Sequence, residues 1–142
     1  MGGEDTRRHR EHTIAENERR YGAEARRRYG DDAVDAANER RLALTDEEWD
    51  EAETLESAII SALRQAMETG DTEGAAAREL CRMHARWIRL MWQEGAYNTA
   101  SHAGLARLYT ADDRFRAYYD SRAGAGAADF LSKALLSYLG SA

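Results

Sequence analysis

Proline is absent from the 142 residues and cysteine occurs once. Without proline, turns lose one of their commonest residues, while alanine, arginine, glutamate and leucine dominate; the composition points to an all-α fold. One cysteine cannot close an internal disulfide, which fits a reducing compartment. No apolar run approaches the length of a membrane span, and the polar start MGGEDTRRHREHT lacks the hydrophobic region of a secretory signal, so the expected location is the cytoplasm. Nor is there a basic stripe. The arginines are interleaved with carboxylates at a formal net charge of −6, a pattern without the phosphate-backbone footprint of a direct nucleic-acid binder.

Catalytic signatures are missing as well: there is no phosphate-cradling glycine loop, no nucleophile elbow and no HExxH. His9 and His12 sit three apart in an arginine-rich start with neither a cysteine nor a third histidine nearby, so they read as part of an unstructured, solvated tail and not as a metal pair. The acidic run DEEWDEAETLE reads as a solvated helix face, not an acid-base pair. The expectation is a binding protein without enzyme activity, metal or cofactor.

What is present is enough for one domain. The 43% hydrophobic content suffices for a core of ordinary size, and it is unevenly distributed. Residues 1–44 carry few apolar side chains (Ile14, Tyr21, Tyr29, Val34, Leu42 and Leu44) and cannot fold alone. Two weak helices are expected there. In ENERRYGAEARRRYG, Tyr21 and Tyr29 share one face and Gly30 reads as the C-cap; DDAVDAANERRLAL begins with acids that suit a helix N-terminus. Ordering a residue costs roughly 1 to 2 kcal/mol of backbone entropy, so both look dependent on a ligand or partner.

Residues 45–142 read as a body of five helices. Thr45 and Glu48 make a capping box for a helix whose apolar face runs Trp49, Ala52, Leu55, Ile59, Leu63, Met67 and which stops at Gly70. AAARELCRMHARWIRLMW follows as a central helix with Leu80, Met83, Trp87, Ile88 and Met91 at helical spacing, ended by Gly95. NTASHAGLARLY, ADDRFRAYY and GAADFLSKALLSYLG supply three more, the last two joined by the glycine-rich RAGAG. Neither a repeat nor a sustained heptad is present.

The order YGAEARRRYG, TDEEW, a helix carrying His84, then His102 followed by GLARLYTADDRF and a closing amphipathic helix resembles the TipA-S antibiotic-recognition domain of MerR-type transcriptional regulators, from about Tyr21 to the C-terminus. The resemblance implies a globin-like helical arrangement without haem, binding of thiopeptide or other bulky antibiotics in a cleft, and an N-terminal portion that is disordered until it folds over the drug. Long members of that family carry a winged helix-turn-helix domain and a dimerising helix upstream, and drug binding activates transcription. That half has no counterpart in these residues. Three settings stay open: a free-standing drug-sequestering protein, a short translation product, or the effector domain of a longer regulator; a monomer is expected.

The founding members carry a cysteine shortly before the counterpart of His102 that adds to dehydroamino acids of thiopeptides. Here the stretch QEGAYNTASH has none, so covalent capture is not expected at that place. Cys81 lies upstream, either as a structural thiol or, through Arg82 and His84, as one of lowered pKa. Noncovalent recognition of large, flat, poorly charged drugs calls for aromatic faces and a few polar groups. The candidates are Trp87, Trp92, Tyr97, His84, His102 and Tyr109 on and after the central helix, with Tyr21, Tyr29 and Trp49 closing from the N-terminal side. For Trp49, Trp87 and Tyr109 core packing is the competing role, and for His84 and His102 core and cleft are equally open. A helical protein-interaction module, docking through residues 1–44, is the alternative function.

Overall fold

The computed structural model describes residues 2–23, 27, 30–92 and 95–140, with the side chains of 2–7, 20 and 21 outside the description. Seven α-helices make up the described part, which holds no strand: α1 Gly2–Asn17, α2 Asp31–Ala43, α3 Asp46–Thr69, α4 Ala75–Met91, α5 Thr99–Ala111, α6 Asp113–Ala123 and α7 Ala127–Tyr138, with a π-helical turn over Glu18–Gly22.

Local chemistry sets the boundaries of the body. Thr45 accepts from the Glu48 backbone N–H while the Glu48 carboxylate accepts from the Thr45 backbone N–H, closing the capping box that starts α3. Gly70 ends that helix at φ +70, a left-handed position that a residue with a Cβ adopts only under strain. Asn98 caps α5 through Ser101 N–H, and Asp112 caps α6 through Arg114 N–H.

Helices α3 and α4 form the main hairpin, and α5, α6 and α7 close over one side of it. Ile59, Leu63 and Ala66 of α3 meet Ala77, Leu80 and Cys81 of α4, and Leu131 and Leu135 of α7 fill the space between. Ala103 and Ala106 of α5 and Ala127, Ala128 and Ala134 of α7 are all buried. Their small side chains allow the close approach of α5 to α7, and Ser132 donates across it to the Ala106 carbonyl at 2.7 Å.

The N-terminal part differs from the sequence expectation in two respects. The start of the chain is not an unstructured tail: helix begins at Gly2 instead of Glu16. A cation explains this better than apolar periodicity does. Arg10 is buried (5% exposed), donates to the Leu44 carbonyl and to Asp46 Oδ1 at 2.9 Å, and lies 5.0 Å from the centre of the Trp49 ring. Gly30, read as a C-cap, is instead the residue that opens α2: at φ +91 it presents its carbonyl to the Val34 N–H at 3.3 Å. Helix α2 buries none of its residues and is held to α4 by Arg40, whose Nε donates to the Leu90 carbonyl at 3.0 Å.

Candidate functional site

Two features combine the candidate residues. The first is a polar row inside the core. The Tyr97 hydroxyl lies 2.9 Å from His102 Nδ1, His102 Nε2 lies 2.9 Å from His84 Nδ1, and His84 Nε2 lies 2.8 Å from the Tyr109 hydroxyl. The Tyr119 ring packs against that of Tyr109, with centroids 4.8 Å apart. The two imidazoles stack with planes 11° apart and centroids 5.0 Å apart. Two helices place them: His84 is on the buried face of α4, while His102 stands in the first turn of α5, brought opposite by the Gly95–Asn98 loop and its Asn98 cap.

Both histidines are fully buried. Burial, with the neighbouring imidazole as a smaller cause, pushes His84 down to about 3; burial and the Arg89 charge bring His102 down to about 4. Both are therefore neutral near pH 7, each with one N–H and one acceptor nitrogen. A neutral row with every partner satisfied has two proton arrangements. Either Tyr97 donates to His102, His102 Nε2–H to His84 and His84 Nε2–H to Tyr109, or every donor points the opposite way. Burial also raises the Tyr109 phenol well above its ordinary value and brings Tyr119 up to about 12, so both phenols keep their protons.

The second feature is a groove of about 370 Å3 lined by Glu53, Glu56, Ser57 and Ile60 of α3 with Tyr118 and Arg122 of α6. That volume falls at the lower end of the roughly 300–1,000 Å3 of small-molecule sites. Beneath it, Ile59, Trp87 and Tyr119 enclose a smaller hollow that shares Glu56, Ile60 and Tyr118. Tyr118 donates to Glu56 Oε1 at 2.8 Å, and the Arg122 guanidinium sits 3.8 Å above the Tyr118 ring. Burial, then the Glu56 charge, pushes the Tyr118 phenol up. Residues 1–44 reach this rim. His9 Nε2 is 4.0 Å from a Glu53 carboxylate oxygen, and burial lowers Arg41 of α2 while the Glu56 charge raises it.

Of the residues singled out from sequence, His84, His102 and Tyr109 lie in the row, Tyr97 forms its half-buried outer end, and Trp92 stands beside Tyr97 with ring centroids 6.1 Å apart. Trp87 bridges the two features, its ring edge-on to His84 at 5.9 Å and lining the small hollow. Trp49 is on neither; it is buried at the start of α3, where Arg10 and His9 occupy it. The Tyr21 side chain and Tyr29 lie outside the described residues. Glu56, Tyr118, Tyr119 and Arg122 are missed by sequence reasoning. The usable signal is the adjacent pair Tyr118–Tyr119 on a short helix, where neighbours point about 100° apart and one must lie at the margin of the buried face.

Cys81 is buried in the core, and burial pushes its thiol up to about 12. Of the two roles open to it in the sequence, the environment favours the inert one. In native protein at pH 8 it is expected to resist a thiol reagent such as iodoacetamide and to react fully after denaturation in urea. Rapid labelling of the folded protein would contradict this environment.

Among the described residues no group of three or more His, Cys, Asp or Glu could hold a metal ion, and no helix is long and apolar enough to cross a membrane. A groove of ligand size walled by Tyr118, with Trp87 and Tyr119 in the hollow beneath it, lies in an all-helical bundle whose core holds two neutral histidines, and these are the features of a helical binding domain. The family model of the TipAS antibiotic-recognition domain matches residues 21–138. The chain belongs to that family. No curated protein and no solved structure matches it.

Proposed function

We propose that this domain binds a bulky, largely apolar, thiopeptide-like antibiotic noncovalently, over the aromatic floor formed by Trp87 and Tyr118, with residues 1–44 acting as a lid on a body of residues 45–142. The observation that carries the reading is the convergence of the N-terminal segment on the groove. His9 reaches Glu53 and Arg41 senses Glu56, both on its rim, although α2 buries none of its own residues. A segment with so little apolar contact is easily released and re-ordered around a guest.

Tyr118 and Trp87 supply faces for stacking on heteroaromatic rings, with Ile60 as apolar floor. Glu53, Glu56 and Arg122 supply orienting charges at the margin. Trp92 and Tyr97, half-buried at the other end of the polar row, form a separate aromatic surface away from this groove, and Tyr21 and Tyr29 are assigned to the lid. Binding without covalent capture follows from the absence of cysteine before His102 and from the burial of Cys81. The domain acts as a cytoplasmic monomer that binds and does not catalyse. Drug sensing in transcriptional regulation and sequestration that confers resistance both rest on this one binding step.

Ordering a lid consumes about 2 to 5 kcal/mol of the gross interaction energy. A large ligand that buries several rings is therefore required. Titration with a thiopeptide, followed by tryptophan fluorescence and far-UV circular dichroism together, should give saturable quenching with a rise in helicity, and the mass of the protein should be unchanged afterwards. Silence with a thiopeptide and with an unrelated bulky antibiotic, but helicity that rises with protein concentration, would overturn the proposal in favour of an interaction module.

A further inference from the structure

Helix α2 joins the body through two extended residues, Leu44 (φ −62, ψ 142) and the cap Thr45 (φ −66, ψ 163). Helix α1 folds back over that joint. One terminal nitrogen of the Arg10 guanidinium donates to the Leu44 carbonyl and the other to Asp46 Oδ1 at 2.9 Å, while the group faces the Trp49 ring. Arg10 and Leu44 are both buried, as is Ile14 one turn further along α1. The same helix packs against α2.

We propose that α1 is a lock on the lid: Arg10 fixes the joint between α2 and α3, and so sets how often α2 leaves the body in the ligand-free chain. The lock is supplied from outside the matched domain, because α1 ends at Asn17 and the family model begins at residue 21.

Both ways of swinging α2 disturb this contact. Rotation at Thr45 turns the Leu44 carbonyl away from the guanidinium, and rotation at Leu44 lifts out its own side chain, which is 3% exposed. The first loses a charge-assisted hydrogen bond, about twice as strong as a neutral one, and leaves a buried cation short of a partner. Nothing comparable holds α2 by itself. It buries none of its residues, and its own clamp, Arg40 on the Leu90 carbonyl, lies in the same last turn. Two arginines on two backbone carbonyls therefore pin this end of the lid.

The lock also reaches the groove. His9, the neighbour of Arg10, stands edge-on to Trp49 and 4.0 Å from Glu53, which lines the groove. One movement of α1 thus frees the joint and clears the rim. Release is limited and not abolished, so a guest still orders the released fraction and raises helicity. The bearing of the lock on drug entry rests on the lid reading above, whereas the lock itself is a property of the chain without ligand.

Hydrogen exchange of the full chain without ligand, read by mass spectrometry, tests it. An isolated helix shorter than about 12 to 15 residues is marginal in water, so α2, with 13 residues, unwinds on release and its amides exchange. Arg10→Gln should speed exchange in α2 roughly tenfold or more and leave α4 and α7 at the wild-type rate. Arg19→Gln, which removes an exposed side chain paired along the segment with Glu16, should leave α2 unchanged. An α2 that exchanges no faster in Arg10→Gln overturns the lock. So does equal acceleration in both variants, equal acceleration in α4 and α7, or a wild-type α2 that exchanges as fast as an unfolded chain. Failure of a thiopeptide to bind would sink the drug-binding reading and leave this exchange result as it stands.

Discussion

On acidification from pH 7 to pH 5 the folded protein is expected to lose up to about 4 kcal/mol of unfolding free energy, close to 2 kcal/mol for each histidine of the buried row. The folded values of about 3 for His84 and about 4 for His102 lie below the ordinary imidazole value of 6.5. In that pH interval the unfolded chain takes up a proton at each histidine and the native protein does not. Stability therefore rises with pH through the window and falls as pH drops from about 6.5 toward 4. The loss stops only where the native rings themselves become protonated. Glu48 and Glu51, lowered chiefly by the hydrogen bonds of the cap and by Arg86, lose their contribution below the ordinary carboxylate value, so they do not confuse the upper window. A loss of this size is a large fraction of the 5 to 15 kcal/mol typical of a domain. Urea unfolding at pH 7, 6 and 5 measures it, and a flat profile would mean that the histidines are not held neutral in the core.

Replacing Trp49 by alanine is the substitution expected to do most damage, about 3 to 5 kcal/mol, and with a particular spatial pattern. The ring is 5% exposed, with the Arg10 guanidinium 5.0 Å from its centre and His9 edge-on at 6.5 Å. Truncation removes one wall of the site that holds Arg10 out of water, and a buried cation that loses its packing is expensive to keep. The first helix should detach before the body unfolds. Limited proteolysis should show cleavage within residues 1–44 becoming fast in Trp49→Ala while residues 45–142 persist. Trp49→Phe should cost much less, because it keeps a ring under Arg10 and removes an indole N–H that has no hydrogen-bond partner among the described residues. Equal protease resistance of residues 1–44 in all three proteins would show that this ring does not hold the segment.

Elements that depend on neighbours in the chain are legible in the amino-acid sequence. The capping box at Thr45 and Glu48, the stop at Gly70 and the apolar spacing of α3 and α4 are local, and each helix of the body stands within a few residues of its expected place. Helix α1 escapes such a reading because its docking rests on a cation, and apolar periodicity carries no trace of Arg10 against Trp49, Leu44 and Asp46. Gly30 falls to the wrong helix for a related reason: glycine marks a change of direction without saying which neighbour it serves. Motif order suffices to recognise the family, and it includes His84 and His102 while leaving them equally open between core and cleft. Their partnership is hidden, since it exists only where α4 and α5 approach one another, eighteen residues apart in the chain. Tyr119 and Glu56 are invisible for the same reason, being brought together by contact between α3 and α6.

The polar row also constrains how such a domain can change over evolutionary time. Replacing His84 alone with leucine would strand the nitrogen of His102 and the hydroxyl of Tyr109 in a dry interior, whereas exchanging all three for well-packed apolar residues is close to neutral in the balance of hydrogen bonds. Viable paths through sequence space should therefore alter these positions together, and related domains should divide into lineages that keep the entire row and lineages that have dispensed with it, with few intermediates between them.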